Sequence, residues 1–196
     1  MSNNITMLYF LAVLILIAAN SCSETPERPF DGSKVTSKLT PAQTKELTHV
    51  VSNYLDLKTA LAQTDAIRVH ATAENLSKNA RNLKDDIRQA AADSIASFFV
   101  ANTLQRLEAI SKDAAKIADM VDATCEQQRI PFGPISDDVY ILLKQSEAKN
   151  LNIYHINCPM AYNEKGAWWL SNSTQIRNPY FGKKMETCGQ VVDTLK

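Results

Sequence analysis

Four stretches of the chain repeat apolar residues three and four positions apart. In the first, Leu47, Val50, Tyr54, Leu57 and Leu61 share one side of a 3.6-residue period. Thr40-Pro41 precedes it, an N-cap followed by proline at the first helical position, where a missing N–H costs nothing. Asp65 offers a cap for the second stretch, in which Val69, Ala73, Leu76, Ala80, Leu83 and Ile87 continue the pattern. Small alanines between large residues suit close packing against a neighbouring helix. Asp93-Ser94 can cap the third, marked by Ile95, Phe98, Phe99, Leu107, Ile110, Ala114, Ile117 and Val121. Pro131, Gly133 and Pro134 end it. Ser136 then reads as the cap of a shorter fourth helix, with Asp137 and Asp138 in its first turn, where the helix dipole favours acids. Val139, Leu142 and Leu143 are its apolar face. Amphipathic helices with short connections predict an all-α fold, an up-and-down bundle of about four helices with Leu57, Leu76, Leu107 and Ile110 buried.

Beyond the fourth helix the pattern changes. No segment alternates for long enough to predict a strand with force, although 153–156 could extend briefly. Residues 154–189 hold both Trp and two of the four Cys, and read as an irregular segment packed on the bundle. The expected domain therefore runs over 40–196.

The N-terminus has a different character. Met7 to Ala19 is apolar apart from the Tyr9 hydroxyl, too short for a bilayer span of ~20 residues and of the right length for a signal-peptide core. Ala18-Ala19-Asn20-Ser21-Cys22 loosely resembles a bacterial lipobox, with Ala19 where leucine is usual. The expectation is a signal peptide over 1–21 and a lipid on Cys22. Residues 22–39, polar and bearing Pro26, Pro29 and Gly32, would be the flexible tether. Acyl chains bind a bilayer through about 0.8 kcal/mol per buried methylene. The alternative is a plain secretory signal with a free Cys22. Ser23 after the lipidated cysteine suggests sorting to the outer membrane, facing the periplasm.

Composition narrows the function. The 196 residues carry a formal charge of zero, with no basic run of the kind that phosphate binding requires, so nucleic acid is not an expected partner. No phosphate loop, nucleophile elbow or HExxH motif is present, and the chain reads as non-enzymatic, without a small-molecule substrate. Export to an oxidising compartment leaves Cys125, Cys158 and Cys188 once Cys22 is lipidated, an odd number. Cys125, His49 and His70 lie within or beside helical stripes and read as packed or hydrogen-bonded residues.

Two readings compete for the C-terminal segment. Cys158, Cys188, Met160, Met185 and His155 supply thiols, thioethers and an imidazole, and the sulfur donors are soft ligands that select Cu(I) or Ag(I). A Cys158–Cys188 disulfide would use the same sulfurs to close a loop of about 30 residues, contributing roughly 3–4 kcal/mol in the chain-entropy model. In that case Trp168, Trp169, Tyr180 and Phe181 could form a docking surface for an envelope protein, since aromatics are favoured interface anchors.

The run Tyr54 to Leu61, Cys158-Pro159-Met160-Ala161, Gly166 to Ser171, Ile176 to Gly182, Met185 and Cys188-Gly189 together resemble a bacterial domain family of unknown function. The resemblance covers roughly Leu47 to Leu195. That family occurs as exported lipoproteins and at the C-terminus of periplasmic adaptor subunits of heavy-metal efflux pumps of the resistance-nodulation-division type. Cys158-Pro159-Met160 is also similar to the Tyr-x-Cys-Pro-Met start of small metal-binding modules in such adaptors, although here three residues separate Tyr154 from Cys158 and no histidine follows Met160. The resemblance implies capture, buffering or delivery of Cu(I) or Ag(I), with an efflux adaptor or pump as the partner. It carries over no established ligand set.

Overall fold

A computed structural model describes residues 27–91, 97–121 and 124–196. The expected signal peptide, the lipobox-like run with Cys22 and the expected Asp93-Ser94 cap lie outside the described residues. Helices α1 (Pro41–Gln63), α2 (Ala66–Ala90), α3 (Phe98–Ala118) and α5 (Phe132–Gln145) form the bundle, with a single turn, α4 (Cys125–Gln128), before α5. Thr40 and Gln43 form a capping box on α1, and the Asp65 carboxylate accepts the Arg68 N–H at 3.0 Å to start α2. Ser97 caps α3 in the same way. Leu57, Leu76, Leu107 and Ile110 are all completely buried. Among the described residues no helix is long and apolar enough to cross a membrane.

The all-α expectation is corrected. The chain after α5 folds into a three-stranded antiparallel sheet in the order β2-β1-β3, so the fold is mixed α and β. The strands are β1 (Ile153–Cys158), β2 (Ala167–Ser171) and β3 (Gln190–Leu195). The short turn α6 (Ala161–Glu164) lies between β1 and β2. The 154–189 segment is thus ordered hairpin and loop rather than irregular packing. Strand period was hard to read because β1 and β2 are covered on both faces for part of their length. Trp169, Leu170 and Ser171 are consecutive and all buried, which erases the alternation of a half-buried strand.

Helix α5 begins at Phe132, four residues before the expected cap. Pro134 is its third residue, where the backbone N–H has no intrahelical acceptor in any case. Ser136 is released from capping, and its hydroxyl lies 2.7 Å from the Tyr54 hydroxyl in the core.

The sheet docks on the bundle through β2. The outward N–H of Leu170 donates to the Tyr54 hydroxyl at 2.9 Å, and the Tyr180 hydroxyl donates to the Trp168 carbonyl. Two tyrosines thus occupy the edge of β2 that would otherwise present unpaired backbone. Phe132 stacks on Tyr54 and meets Tyr180, whose ring stands edge-on to Trp169. Burying a side chain as large as Trp169 contributes on the order of 4–6 kcal/mol as an upper bound.

Residues 27–39 also depart from expectation. They lie along the domain as an N-terminal strap instead of hanging as a free tether. Thr36 bridges Lys149, Lys38 N–H donates to the Ser146 carbonyl at 2.8 Å, and Glu27 pairs with the buried Lys58 at 2.5 Å.

Candidate functional site

Cys158 ends β1 and is completely buried; Cys188 stands just before β3 and is half-buried. The antiparallel pairing of β1 with β3 brings these distant positions together, and the Cys188 thiol lies within hydrogen-bonding reach of the Cys158 thiol. Both are free thiols in the structure, as is the buried Cys125, which lies apart in α4. Burial, joined by the neighbouring Cys158 thiol, pushes the Cys188 pKa up to about 11, while the Met160 backbone pulls the other way. At neutral pH the Cys188 thiol is therefore protonated, and a soft metal ion has to displace its proton to bind it as thiolate.

The other candidate donors divide. Met160 follows Cys158 by two residues, and its side chain is 46% exposed. Met185 is half-buried, and its carbonyl accepts the Cys188 N–H at 3.1 Å. Both thioethers belong to chain next to the thiols. His155 does not join them. It lies three positions from Cys158 on one strand, and side chains alternate between faces with a period of two. It stacks instead on Tyr140, with ring centroids 4.1 Å apart, and meets the tilted Trp168 ring at 4.7 Å, on the face shared with Leu170. Burial holds its pKa below the usual histidine range, with Asp193 opposing. Among the described residues, no three His, Cys, Asp or Glu side chains converge as a metal cluster. The arrangement is a dithiol with two methionines nearby, and two soft sulfurs suit an ion that accepts low coordination.

The expected aromatic surface is mostly interior. Trp169 is 1% exposed and Tyr180 9%, so neither can serve as an exposed docking anchor; Phe181 is half-buried and Trp168 is 38% exposed. Gly189 shows why the Trp169 ring needs that space: a Cβ there would lie 2.5 Å from the ring.

What sets the geometry of the pair is the junction between α4 and α5, which the periodicity of the sequence did not single out. Arg129, 5% exposed, donates through Nε to the Pro179 carbonyl at 2.8 Å and through Nη2 to the Leu61 carbonyl at 2.8 Å. It thereby ties the loop leading to Cys188 to the end of α1. Asn178 continues that loop: its Nδ2 donates to the Cys188 carbonyl at 2.7 Å, and its Oδ1 accepts the Tyr180 and Phe181 N–H groups. On the other side, the Tyr162 hydroxyl lies 3.2 Å from the Arg129 carbonyl and 3.3 Å from that of Ile130, holding the turn after Cys158. Tyr162, Asn163 and Glu164 all have positive φ, at 52°, 57° and 65°. Such a left-handed run costs about 1–2 kcal/mol per residue and persists only under external restraint. Gly133 supplies the seat, since a Cβ there would meet the Tyr162 hydroxyl at 2.6 Å. An arginine next to the helix-breaking Pro131, Gly133 and Pro134 was the signal available in the sequence; its burial was not.

A profile of proteins of unknown function, DUF3347, matches residues 50–150, just over half of the chain. The chain belongs to the DUF3347 family. The DUF3347 match runs from α1 through α5 and ends before the sheet, so it covers the bundle and the α4–α5 junction but neither Cys158 nor Cys188. No curated protein and no solved structure matches the chain.

Proposed function

We propose that this DUF3347 protein captures a soft monovalent ion, Cu(I) or Ag(I), between Cys158 and Cys188, and buffers it or delivers it to a metal-efflux system of the cell envelope. One observation carries the reading: the fold brings two thiols, thirty positions apart, within reach of each other beside Met160 and Met185. Thiolate and thioether donors discriminate against the hard cations that abound outside the cytoplasm. Met160, the most exposed donor, is where an incoming or departing ion would first meet the site. No bond-making step is part of this function.

The test combines thiol counting with titration. Reduced protein should take up one equivalent of Cu(I) in competition with a chelator, and Cys158→Ser or Cys188→Ser should each abolish tight binding. A protected 158–188 disulfide in protein from its native compartment, with no tight Cu(I) site after reduction, ends the metal reading. That outcome would support the second reading, a structural disulfide in an envelope interaction module, which the complete burial of Cys158 favours.

The envelope setting belongs to the proposal. Lipidation at Cys22 would hold the domain at the outer membrane on its periplasmic side. Cys22→Ala should move the protein from the membrane fraction to the soluble fraction; retention in the membrane would remove the anchor from the proposal.

A further inference from the structure

The N-terminal strap does not lie flat on the domain. Between residues 27–31 and the sheet it leaves a cavity of about 540 Å³, which none of the candidate metal donors lines. Small-molecule pockets commonly run to about 300–1,000 Å³. The sheet side of the cavity is mainly uncharged and polar: Asn152, Asn172, Ser173, Thr174 and Gln175. The charged groups on the strap side offset one another. Glu27 is paired with the buried Lys58 at 2.5 Å, and Arg28 and Asp31 carry opposite signs. A wall of this composition suits a ligand that is polar and neutral.

Two residues of the wall hold acceptors without donors. The Glu27 side chain is 8% exposed. Its Oε2 accepts from the Lys58 ammonium at 2.5 Å and from the Thr59 hydroxyl at 3.2 Å, whereas Oε1 is buried with no hydrogen-bond partner among the described residues. Asn172 donates through Nδ2 to the Arg28 carbonyl at 2.6 Å, which fixes the orientation of its amide. Its Oδ1 is then left buried, again with no partner among the described residues. Buried acceptors are almost always satisfied, because losing water without gaining a donor is unfavourable. Glu27 and Asn172 also border a smaller cavity, about 430 Å³, on the α1 side. Asp56 and Arg68, 3.8 Å apart, line that side, whereas the larger cavity is free of such a pair. Tyr154, half-buried on β1, adds an aromatic ring to the larger one.

We propose that the cavity between strap and sheet binds a saccharide of one or two pyranose rings. Glu27 Oε1 and Asn172 Oδ1 accept from its hydroxyls, and Tyr154 borders its apolar face. A pyranose meets each requirement of the wall. Its hydroxyls supply neutral donors to fixed acceptors, and accept in turn from hydroxyl and amide groups such as those of Ser173, Thr174 and Gln175. Its C–H face is complementary to the negative face of an aromatic ring. The strap and the sheet each provide one of the two unpaired acceptors, so a bound sugar fastens residues 27–31 to the sheet.

Ligand-observed saturation-transfer NMR on the full chain tests this. The probes are glucose, galactose, N-acetylglucosamine and maltose, with mannitol as an acyclic polyol that lacks the ring. At least one sugar should show saturable transfer, and mannitol should show none. Asn172→Leu removes one unpaired acceptor, and Thr174→Trp lays an indole across the cavity from an exposed position. Each should weaken the responding sugar by about tenfold or more. Thr174→Trp disturbs no buried group, so it decides the matter even where Asn172→Leu does not fold. Gln63→Trp places the same bulk on the α1-side cavity and should leave the affinity unchanged. The absence of saturable transfer from every sugar overturns the proposal. Equal transfer to mannitol, an unchanged affinity in Thr174→Trp, or a loss confined to Gln63→Trp does the same.

Discussion

At the scale of single residues, burial changes chemistry more than residue type does. Cys188 and His155 were both candidate ligands, yet one sits beside a second thiol and the other sits between two aromatic rings. Burial lowers the His155 pKa, so the folded state binds its proton less readily than the unfolded chain does. The sign follows from linkage. Between the folded value and about 6.5 the unfolded state holds more protons, and stability falls as pH falls through that window. His155→Gln, which cannot protonate, should flatten the stability–pH curve below about pH 6.5 relative to wild type. Denaturant midpoints at a series of pH values measure this, and an unchanged slope would show that His155 is not a titrating contributor.

At the scale of elements, the turn between β1 and β2 is the strained piece. Glu164 adopts φ 65° with an exposed side chain and no need for its Cβ, so it carries strain without a visible return. Glu164→Gly should raise stability by about 0.5–1 kcal/mol, the strain relieved less the extra entropy that glycine loses. An increase in the urea midpoint with an unchanged slope is the expected result; a decrease would mean that the left-handed run is held by the Glu164 side chain. The turn and the 178–189 loop converge on Arg129 and Ile130, so the two cysteines share one support, although one ends β1 and the other stands just before β3.

At the scale of the whole molecule, helices and sheet are joined by a polar contact buried between them. The Tyr54 hydroxyl meets Ser136 on α5 and accepts the Leu170 N–H of β2, and burial pushes its pKa well above the usual tyrosine value. Removing that one oxygen leaves a hydroxyl and an N–H without their partner in the core. Tyr54→Phe should cost about 1–3 kcal/mol. It should also loosen the sheet from the bundle, read as faster amide exchange in β2 than in α2. Uniform exchange throughout would instead mean that aromatic stacking alone joins the two parts.

The helices were legible in the sequence because each depends on neighbours three and four residues away. The stripes through Leu57, Leu76 and Leu107, the Thr40 cap and the Asp65 cap are local patterns, and local patterns survive without knowledge of the fold. The concentration of thiols and thioethers over 154–189 was equally plain. Tertiary structure alone decided the rest. Whether Trp169, Leu170 and Ser171 form a strand depends on β1 beside them and on the tyrosines that cover their edge. Whether Glu27 belongs to a free tether depends on a lysine thirty-one positions away whose charge needs a partner once α1 is buried. The approach of Cys188 to Cys158, and the exclusion of His155, follow from strand pairing and side-chain parity, neither of which exists until the sheet has formed.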